Sequence, residues 1–215
     1  MGKAEETKSR LERAALTLFV ARGVAETTTK EIARAAGVSE GSLYNHFDNK
    51  TALIAATMAE LTGEVRAATA RLLERTGQAT VEDNLTELAE AQIRFFLDLL
   101  PITGPTLGNR ALRDWLREGG PTGGAAMPSG PVLGHAGLIS YVEAEQRAGR
   151  IAAGSEAPYL AAALLGACHQ YAFLTLLTRT DVIASVARLP VDASDYAREL
   201  VRTVLAGHLR PRRAR

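Results

Sequence analysis

The stretch TTTKEIARAAGVSEGSLYNHF, residues 27–47, places two helix starts and a glycine stop within 21 residues. Thr28 and Glu31 have capping-box spacing: the threonine hydroxyl takes the backbone N–H near Glu31, and that carboxylate reaches back. A short helix follows, with Ile32 and Ala36 inward, and Gly37 stands where a left-handed residue would end it. Ser39 then serves as the cap of a further short helix carrying Glu40, Gly41, Ser42, Leu43, Tyr44 and Asn45. Two short helices joined by a tight turn are the strongest constraint in the chain.

Helical patterns flank this unit. Leu11, Ala14, Ala15, Leu18 and Phe19 fall on one face of a helix from about Glu5 to Arg22, ended by Gly23. Phe47 turns inward, and Asp48 is expected to cap a long fourth helix with the apolar line Leu53, Ile54, Thr57, Met58, Leu61 and Val65. Helical patterns recur at about 81–100, 106–118, 132–148, 158–178 and 192–208, with no competing strand alternation and no internal repeat. Residues 119–131, GGPTGGAAMPSGP, read as a loop. The fold class is therefore all-α: a three-helix domain over 1–50 and a larger helical domain over 51–215.

A helix-turn-helix needs a supporting helix, a tight turn and a recognition helix that offers short polar groups to base edges and phosphates. Residues 28–46 supply these in order. Gly41 removes a side chain where the recognition helix would approach DNA, at a propensity cost of roughly 1 kcal/mol, so geometry outweighs local stability there. Ser42, Tyr44, Asn45 and His46 supply donors, while Leu43 and Phe47 hold the helix to its scaffold.

Net charge neither adds to this reading nor opposes it, because the total over 215 residues is only +1. The distribution is uneven, near neutral over 1–50, acidic over 51–197 and basic over 198–215, where the closing RPRRAR reads as a solvated tail, with contact to DNA backbone as the alternative.

At this point LERAALTLFVARG, TTTKEIARAAGVSEGSLYNHF and DNKTAL resemble the N-terminal DNA-binding domain of the TetR family of bacterial repressors, over about 50 continuous residues. The resemblance implies that Thr28 and Thr29 lie against phosphate at a helix N-terminus. It further implies that Ser39, Gly41, Ser42 and Asn45 lie on the groove-facing helix, that Tyr44 and His46 touch phosphates, and that Lys50 anchors the fourth helix. Lys30, within the matching segment, joins this DNA-binding set. Glu40 departs from the pattern, since a carboxylate repels phosphate unless it accepts from cytosine N4 or points to solvent.

One recognition helix reads one half-site, so a homodimer is expected, with two such helices about 34–36 Å apart on one DNA face. The uncharged Pro158–Thr178 segment, paired with Tyr196–Leu205, is the expected interface, and family members are similar in dimerising through their last two long helices. The resemblance also implies a small-molecule effector site in the C-terminal domain. Phe95, Phe96, Leu99, Trp115, Tyr141 and His169 are the candidate lining, with Arg94, Asp98, His135 and Gln170 as further polar groups; ordinary core filling is the competing account. Phe95 and Phe96 cannot both face one direction.

Other classes find less support. The single cysteine, Cys168, excludes an intrachain disulfide framework, and the scattered histidines do not suggest a zinc cluster. The N-terminal segment lacks the apolar region of a secretory signal, which fits a cytoplasmic setting. Tyr159 to Thr178 has the length of a membrane span, but Gly166, His169, Gln170 and Thr175 interrupt it, so it reads as a soluble helix buried on nearly all sides and no membrane partner is expected. No nucleophile elbow, phosphate loop, metal motif or cofactor fingerprint is present, so no catalytic residue, metal or cofactor is assigned. The sequence thus points to a homodimeric repressor on a pseudo-palindromic operator, released when an effector favours a mismatched spacing of the recognition helices. A ligand-independent activator or partner-sensing regulator is the alternative, and an enzyme with an accessory helix-turn-helix a more distant one.

Overall fold

The computed structural model describes residues 2–108, 110 and 130–209. In chain order the helices are α1 (Lys3–Arg22), α2 (Thr29–Ala35), α3 (Glu40–Tyr44), α4 (Lys50–Glu74), α5 (Val81–Gly108), α6 (Gly130–Arg147), α7 (Ala157–Leu177), α8 (Thr180–Val182) and α9 (Ala193–Leu205). No strand occurs among the described residues, and the all-α class stands; Ile151 and Leu209 pair as an isolated antiparallel bridge. By compactness, the described residues of Met1–Gly63 and Asp98–Ser129 group into one unit and those of Glu64–Leu97 and Gly130–Arg215 into another.

In the first unit, the expected face of α1 is buried through Leu11, Ala15 and Phe19. Ile32, Leu43 and Leu53 are also fully buried, which fixes the short helices to the long ones. Gly23 takes φ +80° and its N–H donates to Phe19 O at 2.8 Å, ending α1 as the sequence implied. Gly37, at φ +67°, makes the turn between α2 and α3, a conformation that side-chain-bearing residues rarely adopt. The Arg10 guanidinium donates to the carbonyls of Ala36 and Gly37, closing that turn from α1.

Two boundaries differ from expectation in ways that physics explains. Helix α4 starts at Lys50, so its cap is Asn49, whose Oδ1 accepts from Ala52 N at 2.9 Å; Asp48 is one residue too early to reach that N–H. Helix α5 runs through Pro101 to Gly108 rather than breaking near residue 100. Proline removes one intrahelical donor, but Ile102 is fully buried beside it and the Thr103 hydroxyl donates to Leu99 O at 3.0 Å. Beyond Gly108, the expected helix over 106–118 lies, apart from Arg110, outside the described residues. So do the loop read over 119–131, up to Ser129, and the arginine tail. Gly130 and Pro131, the end of that expected loop, open α6.

The second unit packs α6, α7 and α9 with parts of α4 and α5. Its core includes Ile93, Leu138, Tyr141, Leu164, Cys168 and Val201. Gly137 lets α6 lie close against α4: a β-carbon there would fall 2.1 Å from Thr69 Cγ2, so the threonine methyl would have to move. The rings of Tyr171 and Tyr196 stack at 4.1 Å, and their hydroxyls donate to Val191 O and Ala167 O.

A buried polar network fastens the α4–α5 turn. Glu145 is fully buried and receives Arg150 Nε and Nη2 at 2.5 Å each, and Gly77 N at 3.0 Å. Arg150 also donates to the carbonyls of Gln78 and Ala79, while Asn84 donates to the Tyr141 hydroxyl at 3.0 Å. Burial drives the Glu145 carboxyl upward, but the Arg150 and Gly77 hydrogen bonds, with help from Tyr141, outweigh it and leave the group below the usual carboxylate range.

Helix α7 is buried along one face only. Leu164, Leu165, Cys168 and Tyr171 point into the core, while Tyr159, Ala162, Ala163, Gly166, Gln170, Phe173 and Leu177 are exposed. Burial on nearly all sides, as its composition suggested, is therefore not met. By length and composition α7 passes the test for a membrane span, with mean hydropathy 1.6, but its inward face is ordinary core. The π-helical turn Ile183–Ala187, closed by Arg188 at φ +55°, had no counterpart in the sequence reading.

Candidate nucleic-acid interface

Helix α2 starts at a complete capping box. Thr28 Oγ1 accepts from Glu31 N at 3.2 Å, and Glu31 Oε2 accepts from Thr28 N at 3.0 Å. The Thr28 N–H and hydroxyl, followed by Arg22, hold the Glu31 carboxyl below its ordinary range. Helix α3 is capped as expected, with Ser42 N donating to Ser39 Oγ at 3.1 Å. The Leu43 side chain anchors this five-residue helix to the core at 0% exposure.

These caps leave a polar surface on the outer side of α2 and α3. Thr28, Lys30, Ser39, Gly41, Tyr44 and Asn45 are exposed, and Thr29, Glu40, Ser42 and His46 are half-buried. Ser39 and Ser42 are partly committed to capping. A β-carbon on Gly41 would meet Ser39 Oγ at 3.9 Å, an ordinary contact, so nothing among the described residues requires glycine at that position.

Three of the expected residues come together by hydrogen bonding. Thr29 Oγ1 donates to Glu40 Oε1 at 2.7 Å and lies 3.3 Å from the Tyr44 hydroxyl. Thr29 has one hydroxyl proton, and it goes to the carboxylate, so Tyr44 is the donor in the second bond. The result is a relay from Tyr44 through Thr29 to Glu40. Lys50 faces elsewhere: its Nζ donates to Val24 O at 2.5 Å, tying the start of α4 to the loop after α1, and burial pulls its pKa down. That places Lys50 as an anchor.

The expected effector residues are distributed differently. Phe96 packs edge-on against His169 at 5.1 Å and tilts against Phe95 at 5.4 Å, with Phe95 buried and His169 exposed. Tyr141 is fully buried in the polar network, and burial pushes its hydroxyl up to about 12. Leu99 is buried in the first unit, whereas Phe95, Phe96, Tyr141 and His169 belong to the second. Trp115 lies outside the described residues. A cavity of about 10 Å³ lined by Ala68, Leu72, Arg75, Asn84, Glu87 and Leu88 has room for one water, and none of the expected effector residues lines it. Among the described residues no cluster of three or more His, Cys, Asp or Glu side chains could hold a metal ion.

Comparison with known proteins places this geometry. Residues 12–57 match the family described as bacterial regulatory proteins, tetR family. The HTH-type transcriptional regulator SrpR of Pseudomonas putida is 47% identical over 57 residues, which is 26% of this chain and 27% of that protein. The HTH-type transcriptional repressor KstR2 of Rhodococcus jostii is 47% identical over 53 residues, 25% of this chain and 26% of the repressor. The chain thus spans about a quarter of the length of the curated relatives it matches. The likeness in fold extends further: the crystal structure of a TetR transcriptional regulator from Chloroflexus aurantiacus covers 97% of this chain and 98% of its own, with TM-score 0.71 at 20% identity. The helix-turn-helix segment, residues 12–57, thus matches the tetR family of bacterial regulatory proteins in sequence, and the chain as a whole is similar in fold to a TetR transcriptional regulator.

Proposed function

We propose that the chain is a cytoplasmic transcriptional regulator that binds a pseudo-palindromic operator as a homodimer and represses until a small-molecule effector releases it. The observation that carries this reading is the rigidly capped α2–α3 pair. Its outer side presents Thr29, Lys30, Tyr44 and Asn45, with a glycine at 41 that the chain's own packing does not demand. In a helix-turn-helix, such a recognition helix enters the major groove while the helix before it crosses the backbone.

The dimer reading is supported by α7. Its exposed, uncharged face is long, and Phe173 and Leu177 are 47% and 69% exposed. A second copy applied to this face and to α9 would cover it with matching apolar surface, as a two-fold interface requires. Phe95, Phe96 and His169 are the aromatic groups best placed to meet an effector, since His169 is exposed beside them. Release follows if the effector favours a protomer arrangement that separates the recognition helices wrongly for the operator, through a coupling of about 1–3 kcal/mol.

Gly41→Ala separates a binding surface from a structural one. The substitution should leave stability unchanged or raise it by up to about 1 kcal/mol, because alanine favours the helix and its β-carbon makes only an ordinary contact with Ser39 Oγ. It should nevertheless weaken binding to promoter fragments about tenfold in gel shifts, the effect of a methyl group held between helix and groove. Unchanged DNA affinity in a stable variant would count against a groove-facing α3.

A further inference from the structure

We infer that Glu40 is an internal phosphate mimic: its carboxylate holds the Thr29 hydroxyl proton, and through Thr29 orients the Tyr44 hydroxyl, until DNA displaces it. This rests on the DNA-binding reading above and adds a restraint built into that surface.

The geometry is specific. Glu40 is the first residue of α3 and Thr29 the first of α2, 11 positions apart in sequence, yet the carboxylate is 2.7 Å from the threonine hydroxyl. It lies half-buried against α2. The carboxylate forms no ion pair among the described residues, so its charge stays on this face. Tyr44, at 49% exposure, completes the relay by donating to Thr29.

A carboxylate oxygen and a phosphate oxygen make the same demand on a hydroxyl: both are anionic acceptors of one O–H. The helix carrying Thr29 is the one that crosses the backbone when its neighbour enters the groove. A phosphate reaching Thr29 and Tyr44 must therefore turn the Thr29 proton away from Glu40 and the Tyr44 proton away from Thr29. It must also approach a negative charge with no basic partner. Glu40 thus lowers affinity for phosphate in general, whatever the bases. Only duplexes supplying enough further contacts overcome it. The effect is specificity through a penalty shared by all sites, as when an unfavourable group is set against wrong partners.

The test compares wild type, Glu40→Gln and Glu40→Ala on a pool of random-sequence duplexes about three helical turns long, and on duplexes selected from that pool by wild type. Glutamine keeps an acceptor for Thr29 and removes the charge; alanine removes both. Both variants should bind the random pool about 5- to 20-fold more tightly at low salt. Their plots of log affinity against log salt should be steeper by about one, the change expected when one negative charge leaves the phosphate path. Melting temperatures should stay within about 3 °C of wild type, since the change lies at the surface and outside the core.

Equal or weaker binding of the random pool, with an unchanged salt slope, would overturn the inference while leaving the DNA-binding reading in place. So would a loss confined to selected duplexes with cytosine at one position, which would make Glu40 a reader of cytosine N4. If neither wild type nor the variants bind any duplex at low salt, the DNA-binding reading falls and the inference falls with it.

Discussion

Glu145→Ala should destabilise the fold by about 3–5 kcal/mol, lowering the melting temperature by roughly 10 °C, because it leaves Arg150 without its buried carboxylate. The pair is placed so that both guanidinium bonds, the Gly77 N–H and the Tyr141 hydroxyl converge on one fully buried group. Arg150 would keep its bonds to the carbonyls of Gln78 and Ala79 but would lose its counter-charge. Thermal and urea unfolding followed by circular dichroism measure this directly; a loss under about 1 kcal/mol would mean the network adds no stability.

The same group sets an acid limb. Its carboxyl titrates lower in the folded chain than its ordinary value, so its contribution is fully present above the unfolded-state value and is lost as pH falls through the folded one. Wild type should therefore lose stability below about pH 4. Glu145→Gln, starting less stable at neutral pH, should show a shallower loss over the same interval.

Leu43→Ala is expected to act on the recognition helix as a unit. Leu43 is fully buried and is the residue through which the five-residue α3 reaches the core. Deleting it costs about 2–5 kcal/mol by lost transfer and cavity terms. So short a helix has no stability of its own to offset that cost. Hydrogen exchange should show amides of α2 and α3 losing protection, and promoter binding should fall by at least tenfold at 37 °C. Retained protection in α3 would mean that Gly37, the Arg10 contacts and the two caps suffice to hold it.

These outcomes track what could be read from residues alone. The caps at Thr28 and Ser39 and the stops at Gly23 and Gly37 were legible because each depends on atoms within four residues of its own position. The α1 face through Leu11, Ala15 and Phe19 was legible for the same reason, since periodicity is local. The relay on the outer side of α2 and α3 was only half legible. Thr29, Glu40 and Tyr44 were each singled out, but the bonds joining them span 11 and 15 residues and depend on how α3 is set against α2.

The Glu145 network was not legible at all. In sequence, Glu145 and Arg150, five residues apart near a helix end, look like a solvated pair, and nothing local reveals that the α4–α5 turn closes over them. The α5 boundary was misplaced because proline is a local stop signal, whereas burial of Ile102 is a tertiary fact. Asp48 and Asn49 are both good caps, and only the true first turn of α4 decides between them. For α7, composition gave an apolar helix without saying which side the protomer itself would cover.

The central claim, that α2 and α3 form one half of a two-fold DNA-reading surface, is tested most directly by footprinting the purified full chain on promoter DNA at low salt. The account predicts two protected half-sites related by a pseudo-two-fold, with centres about 34–36 Å apart or a multiple of that spacing, and loss of both in Leu43→Ala. Absence of protection on any promoter fragment, or one protected site without a symmetric partner, would contradict it.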